Sequence, residues 1–217
     1  MPARISQEPE KEFFYEENVL GEQVSIRASG KMFSPARPDR GTVSMLSVIS
    51  FDPQDNVLDI GCGTGLVGII ALKKGVSKVT FSDIDPESLK YAKLNCGNNL
   101  SEEQLENCTF IESDAFEHIN VNGFTLILSN PPYHTDFSVA KSFIEGAFRH
   151  LVTGGRMVMV TKRLDWYKNK LTSVFGGVRL SERDGYFIFE SEKRDNIPAN
   201  ILAARRKAQQ KKESRKR

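Results

Sequence analysis

The amino-acid sequence predicts a single α/β domain built on a mostly parallel sheet with helices on both faces. Its length of 217 residues suits one such domain with short extensions. From residue 56 onward, short apolar runs of strand length alternate with longer segments of helix length, which is the pattern of consecutive right-handed βαβ units. Polar and glycine-rich segments follow the ends of the predicted strands, where such sheets bind ligands.

Strands are predicted where apolar runs are short and bounded by turn residues. In chain order they are residues 56–60, 78–81, 108–112, 124–129 and 156–161, followed by a closing pair at 178–180 and 186–190. Helices are predicted at 66–74, 86–98, 138–151 and 164–175. Pro86 occupies the first turn of its helix, where the missing N–H costs nothing, and Asp85 is the predicted N-cap.

The N-terminal part is less regular. Residues 1–20 are charged and contain an aromatic patch, Phe13, Phe14 and Tyr15. Residues 23–28 alternate as a strand does, and a loop rich in Gly and Pro follows. Residues 42–50 are predicted to form a short amphipathic helix that ends before Pro53.

Composition excludes several classes of protein. Hydrophobic residues make up 39% and charged residues 27%, which is sufficient for a globular core. No apolar run approaches the ~20 residues needed to span a bilayer. The charged N-terminus has no apolar segment typical of a secretory signal, so we expect a cytoplasmic protein. Cys62, Cys96 and Cys108 form no CxxC pair, so we expect buried thiols and no metal site.

The positive charge is concentrated at the C-terminus. Residues 205–217 contain eight Lys or Arg and one Glu, whereas the whole chain carries a formal charge of only +2. A mildly acidic body with a basic tail is typical of a tethered arm that contacts the phosphates of a nucleic acid. The alternative is a disordered segment that only increases solubility, because a run of charge specifies no partner.

A glycine-rich turn follows the first strand of the sheet. Glycines there let the backbone turn sharply and let a ligand approach closely. The segment also satisfies the dinucleotide pattern GxGxxG, at residues 63–68. Asp59 favours a different ligand, because a carboxylate repels pyrophosphate and attracts the ammonium and sulfonium groups of S-adenosylmethionine; the alternative is a turn-capping role. The predicted cofactor contacts in this segment are Asp59, Gly61, Cys62, Gly63 and Gly65.

Acidic residues also follow the second and third strands. Asp83 lies 24 residues after Asp59, close to the spacing at which a carboxylate binds a ribose in such folds, and Ile84 is next to it. Asp114 is predicted to accept from the adenine amino group, with Ala115 and Phe116 lining the ring slot. The alternative for Asp114 is a loop-capping role.

The fourth strand ends in the segment that carries the chemistry. Two consecutive prolines make it rigid and remove two backbone donors. An exocyclic –NH₂ group offers two N–H donors, which match the side-chain oxygen of Asn130 and the carbonyl of Pro131. Tyr133 offers a stacking face for a base, and His134 is either a substrate contact or a loop residue. The predicted catalytic and substrate-binding segment is Asn130, Pro131, Pro132, Tyr133 and His134.

At these residues the chain resembles the class I S-adenosylmethionine-dependent methyltransferases, and more narrowly the small-domain group that contains the ribosomal RNA guanine-N2 methyltransferases. The segments that carry the resemblance are FSPARPDRGT at 33–42, VLDIGCGTG at 57–65, SDID at 82–85, SDAF at 113–116 and NPPYH at 130–134. The resemblance implies a Rossmann-like sheet of seven strands with the last one antiparallel. It also implies cofactor contacts at Asp59, Gly61, Asp83, Asp114 and Asn130, with further contacts at Asp39 and Thr42.

The resemblance divides the chain into an N-terminal extension (1–40), a methyltransferase domain (41–192) and the basic tail (193–217). We expect methylation of an exocyclic amino group in RNA, guanine-N2 first and adenine-N6 second. Guanine-N2 members often have Phe in place of Tyr133, and Tyr is also frequent in adenine-N6 and glutamine-amide methylators. Some ribosomal members carry an extra N-terminal domain, for which we expect the tail to substitute in part.

Three other functions remain alternatives. Glutamine-amide methylation of a protein uses the same Asn-Pro-Pro-Tyr motif. A non-catalytic RNA-binding chaperone would retain cofactor binding, and a nicotinamide oxidoreductase would not depend on Asn130.

Overall fold

The computed structural model describes residues 11–132, 137–198, 200–204 and 207. A seven-stranded sheet forms the centre of the molecule. Its strands are β3 (Asn56–Ile60), β4 (Lys78–Asp83), β5 (Cys108–Glu112), β6 (Phe124–Ser129), β7 (Leu151–Thr161), β8 (Arg179–Arg183) and β9 (Tyr186–Glu192), in the spatial order β5-β4-β3-β6-β7-β9-β8. The first five are mutually parallel, and β9 runs antiparallel to both β7 and β8. The predicted fold, including the antiparallel last strand, is confirmed.

Besides a helical segment at 200–204, six helices are present in the described residues. They are α1 (Arg40–Leu46), α2 (Leu66–Lys73), α3 (Pro86–Asn99), α4 (Glu102–Glu106), α5 (Ser138–His150) and α6 (Asp165–Phe175). Asp85 caps α3 as predicted, because its side chain accepts from the N–H of Glu87. The helix α4 was not predicted; it is a single turn that is held by a reciprocal capping box between Ser101 and Gln104.

Alternating side chains of the central strands build two apolar cores, one on each face of the sheet. On β6, Leu126 and Leu128 join the core under α1, α2 and α3, whereas Ile127 joins the core under α5 and α6. This alternation follows from the two-residue period of a strand. Burial of both faces explains why these strands consist of nearly continuous apolar runs.

A separate hairpin precedes the sheet. It consists of β1 (Glu12–Val19) and β2 (Glu22–Ser29), which pair antiparallel. The side-chain amides of Asn95 and Asn99 on α3 pair with the backbone of the hairpin much as a neighbouring strand would. Each amide accepts from one backbone N–H, of Arg27 and Ser25, and donates to the carbonyl of the same residue, over 2.7 to 2.9 Å. The hairpin is therefore fixed beside the glycine turn.

Several boundaries differ from the sequence analysis, and the helix predicted at 42–50 is α1, which begins at Arg40 because Asp39 caps it and ends at Leu46. The strand β7 begins at Leu151, not at residue 156, because Leu151 pairs with Phe124 before an irregularity in the ladder. The strand β1 was not predicted at all, since acidic side chains occupy much of it and most of its residues are exposed or half-buried. Within the described residues, no helix combines the length and apolar composition that crossing a membrane requires.

Candidate functional site

The glycine turn between β3 and α2 adopts backbone conformations that other residues rarely take. Gly61, Gly63 and Gly65 have φ values of +71°, +52° and +80°. The N–H groups of Gly61 and Cys62 both donate to the carbonyl of Ser82, over 2.8 and 3.0 Å. These bonds attach the turn to the end of β4, so the carboxyl ends of β3 and β4 lie together at one edge of the sheet.

Asp59 lies at the base of this turn and is 2% exposed. Its Oδ2 atom accepts from the N–H of Gly68 in the first turn of α2, over 3.0 Å. Burial raises the pKa of the Asp59 carboxyl to about 7; the hydrogen bond from Gly68 opposes this shift, and the nearby Asp83 carboxylate adds to it. A cationic ligand beside Asp59 would lower this pKa again, because its positive charge favours the ionised form of the carboxyl.

Asp83 closes the other side of the turn. Its Oδ2 accepts from the N–H of Gly63 over 2.9 Å, and its Oδ1 accepts from the N–H of Asp85 over 3.0 Å. Burial raises the pKa of Asp83, although both hydrogen bonds act in the opposite direction. Its neighbour Ile84 is 62% exposed, so an apolar surface lies open beside the carboxylate.

Asn130 follows β6, the strand next to β3. Its Nδ2 donates to Oδ1 of Asp39 over 2.8 Å and to the hydroxyl of Thr42 over 2.9 Å. A carboxylate can only accept, so the amide presents its –NH₂ to Asp39, and Oδ1 is the atom it can offer to a ligand. The prolines at 131 and 132 follow directly, the first buried and the second exposed.

These strand ends surround one cavity of about 360 Å³, a volume within the usual range for small-ligand sites. Four carboxylates line it, whereas Arg37 is the one cationic lining residue in the part of the chain described. The predicted residues that line it are Asp59, Gly61, Cys62, Gly63, Asp83, Ile84, Asp114, Ala115, Asn130, Pro131 and Pro132, together with Asp39 and Thr42. A carboxylate-rich cavity fits an ammonium and a sulfonium and disfavours a pyrophosphate.

Two predicted contacts lie elsewhere. Gly65 does not line the cavity; it begins α2 in a left-handed conformation, and a Cβ there would lie 3.1 Å from Cβ of Ala92. Phe116 was expected in an adenine slot but is buried under α5, where it stacks on His150 with ring centroids 4.5 Å apart. The chain turns at Ala115, whose φ is +49°, and this turn directs Phe116 into the core.

Tyr133 and His134 lie outside the described residues, as does most of the basic tail. Their assignments as substrate contacts and phosphate contacts stay predictions.

The N-terminal wall of the cavity was not predicted from the sequence. Tyr15 of the hairpin and Met32, Phe33 and Arg37 of the following loop all line it, and Phe33 is 54% exposed. Burial raises the pKa of the Tyr15 phenol, which keeps this group neutral. The aromatic patch at 13–15 and the FSPAR segment were visible as features, but their position over the cavity depends on tertiary packing.

Comparison with protein families identifies the family to which this fold belongs. Residues 23–190 match the model of the family described as "Methyltransferase small domain". The chain belongs to this family. Its members are S-adenosylmethionine-dependent methyltransferases, so the glycine turn and the carboxylates lie in a fold that takes the cofactor expected from their charge.

Curated relatives include two kinds of ribosomal RNA methyltransferase. The ribosomal RNA small subunit methyltransferase C of Mannheimia succiniciproducens is 33% identical over 178 residues, which is 80% of this chain and 51% of the relative. The ribosomal RNA large subunit methyltransferase G of Psychromonas ingrahamii is 29% identical over 190 residues, which is 85% of this chain and 50% of that relative. The chain therefore spans about half the length of the curated relatives it matches.

Solved structures share the fold. The Thermus thermophilus 16S rRNA N2 methyltransferase RsmC, in complex with AdoMet and guanosine, aligns with a TM-score of 0.77 at 23% identity, over 86% of this chain and 52% of that one. A methyltransferase from Pyrococcus furiosus aligns with a TM-score of 0.62 at 21% identity, over 78% of this chain and 89% of that one.

Proposed function

We propose that this chain transfers the methyl group of S-adenosylmethionine to an exocyclic amino group of a base in ribosomal RNA, with guanine N2 as the target. The observation that carries the proposal is the position of Asn130: it lines the carboxylate-rich cavity, and its –NH₂ is engaged by Asp39 and Thr42. The side chain therefore offers an acceptor, which is what an amino group requires.

The acidic residues and the segment at 130–132 have different roles in the proposed reaction. Asp59 and Asp83 provide negative charge beside the glycine turn, where a cationic methyl donor would bind. When bound, S-adenosylmethionine supplies an electrophilic methyl group on sulfur. The rigid segment at 130–132 would hold the nucleophilic nitrogen in line with that methyl group, and positioning of this kind can be worth effective molarities of ~10⁵ M or more.

The exocyclic nitrogen is a weak nucleophile, because its lone pair is delocalised into the ring. Asn130 Oδ1 and the Pro131 carbonyl would each accept one N–H hydrogen bond, which increases electron density on nitrogen and orients the lone pair. An N–CH₃ bond would form as the S–CH₃ bond breaks, and the nitrogen would then release one proton to water. The base must leave its stack to reach the cavity, which favours an unpaired or flipped nucleotide.

The choice of ribosomal RNA rests on the curated relatives, whose names give that substrate. The choice of guanine N2 rests on the resemblance of the motifs and on the name of the Thermus thermophilus protein.

The test uses ribosomal RNA isolated from a strain that lacks the gene. We would incubate it with the purified chain and methyl-labelled S-adenosylmethionine and identify the labelled nucleoside by mass spectrometry. N2-methylguanosine is the expected product. N6-methyladenosine would overturn the choice of base, and the absence of label from the RNA would overturn the RNA substrate.

The variant Asn130→Ala tests the role of the acceptor. We expect kcat to fall by about a hundredfold or more, since one hydrogen bond that is aligned in the transition state is worth that much. Calorimetry should show cofactor affinity within about twofold of the wild type, because the variant removes a contact to the acceptor base. Wild-type turnover by this variant would contradict the assignment.

A further inference from the structure

We propose that Asp39 and Thr42 are positioning residues that lock the Asn130 amide with its oxygen toward the substrate. This inference rests on the proposed function, and it assigns the two residues to orientation of the acceptor, not to direct cofactor binding. The feature that carries it is a cluster of three polar side chains, from the N-terminus of α1 and from the end of β6.

The amide of an asparagine is nearly symmetric in shape, so packing alone cannot decide which end faces a ligand. Electrostatics decides it here. In the observed orientation Nδ2 donates to two acceptors, Oδ1 of Asp39 at 2.8 Å and Oγ1 of Thr42 at 2.9 Å. In the reversed orientation the amide oxygen would face the Asp39 carboxylate, and the –NH₂ would face an amino group that can only donate.

The acceptors are themselves fixed in place. Oδ1 of Asp39 also accepts from the N–H of Thr42 over 2.9 Å, as the N-cap of α1, and from the Thr42 hydroxyl over 3.5 Å. A single carboxylate oxygen therefore caps the helix and holds the amide. A shift of the helix would move both acceptors relative to Asn130.

The N-terminus of α1 lies tightly against β9. A Cβ at Gly41 would lie 2.7 Å from Cε1 of Tyr186 and 3.0 Å from Oδ1 of Asp39, so only glycine permits this approach. Further along the helix, the hydroxyl of Ser44 donates to Oδ2 of Asp184 over 3.2 Å. The helix that carries the acceptors is thus anchored to the sheet independently of Asn130.

The central variant is Asp39→Ala, with Asp39→Asn as the conservative replacement. Asp39→Ala removes the main acceptor, and we expect kcat to fall by about tenfold to a hundredfold while cofactor affinity and RNA KM change little. Asp39→Asn retains an oxygen that can accept from both Thr42 and Asn130, so we expect it to recover most of the lost kcat. A loss confined to cofactor affinity would instead identify Asp39 as a cofactor ligand and overturn the inference.

A matched pair on the same helix avoids the loss of the cap. Thr42→Val removes a hydroxyl that accepts from Asn130, and we expect kcat to fall by about fivefold, as the loss of one ordinary hydrogen bond would predict. Ser44→Ala removes a hydroxyl that donates to Asp184, away from Asn130, and we expect unchanged kcat. If the two variants lowered kcat equally, the loss would reflect a general disturbance of α1, and the role of Thr42 in orienting Asn130 would be contradicted.

A double-mutant cycle separates this inference from the proposed function. If Asp39 acts through Asn130, then Asp39→Ala should cost no further kcat in a chain that already carries Asn130→Ala. Multiplicative losses would show that Asp39 acts independently, and the inference would fail while the role of Asn130 stands. Full activity of Asn130→Ala alone would remove the proposed function itself. Thermal melts of all variants show which losses come from unfolding.

Discussion

The buried carboxyl of Asp59 makes the stability of the protein depend on pH. Its pKa is about 7 in the folded chain and has the ordinary value of 3.8 when unfolded. A raised pKa means that the folded state binds the proton more tightly, so the stabilisation is fully present below the unfolded pKa and is lost as the pH rises through 7. From these two values, we expect Asp59 alone to remove about 2–3 kcal/mol of unfolding free energy between pH 5 and pH 8.

The variant Asp59→Asn provides the comparison. Its amide oxygen can accept from the N–H of Gly68, as Oδ2 of Asp59 does, but the side chain has no proton to titrate. Urea unfolding of both proteins without cofactor, at half-unit steps from pH 5 to pH 8, gives the two stability curves. We expect the wild-type curve to fall relative to that of the variant, with most of the change between pH 5 and pH 7.

Subtraction of the two curves is essential, because Asp83 has a raised pKa as well and contributes with the same sign. Cys62 lies nearby, but burial and the two carboxylates raise the pKa of its thiol well above the ordinary value, so it stays neutral over this range. Parallel curves for the wild type and Asp59→Asn would refute the reasoning. They would mean that water or movement of the chain relieves the burial of this carboxylate.

Two further predictions concern packing and the tail. Gly146→Ala should lower the unfolding free energy by about 1–3 kcal/mol through overpacking, because its Cβ would lie 2.0 Å from Cδ2 of Phe116. In the matched variant Gly97→Ala, on α3, the added Cβ meets no atom within 4 Å, and the free energy of unfolding should rise by about 0.5–1 kcal/mol. Shifts of the urea midpoint in the same direction for both variants would contradict this account. Deletion of residues 205–217 should weaken RNA binding and flatten its dependence on salt, and an unchanged slope would leave the tail without a role in binding phosphates.

The sheet was predictable because its determinants are local in the chain. Apolar runs such as 124–129 are buried on both faces and bounded by turn residues, so the hydrophobic pattern and the flanking turn residues suffice to find them. The site residues at strand ends followed from the same reasoning, because the carboxyl ends of parallel strands share an edge. Asp59, Asp83 and Asn130 accordingly line one cavity.

The N-terminal wall could not be predicted in this way. Within the described residues the strand β1 pairs only with β2, and its charged side chains obscure the alternation that identifies a strand. Its position over the cavity depends on Asn95 and Asn99, more than sixty residues further along the chain, which bond its partner strand. No pattern within a short window contains that information. The predicted division at residue 40 stays a prediction, but the cavity includes residues from both sides of it.

The sequence posed a choice at Asp59 and Asp114 between a capping role and a ligand role, and the structure shows why the two do not compete. A carboxylate has two oxygens and about four lone-pair sites, so one bond to the backbone leaves acceptor capacity for a ligand. Asp59 uses Oδ2 for the N–H of Gly68, and Asp39 uses Oδ1 for both its helix cap and Asn130. Such bonds fix the carboxylates before any ligand arrives, so binding need not pay the entropy of ordering them. A capping role at a strand end is therefore an argument for a preorganised site.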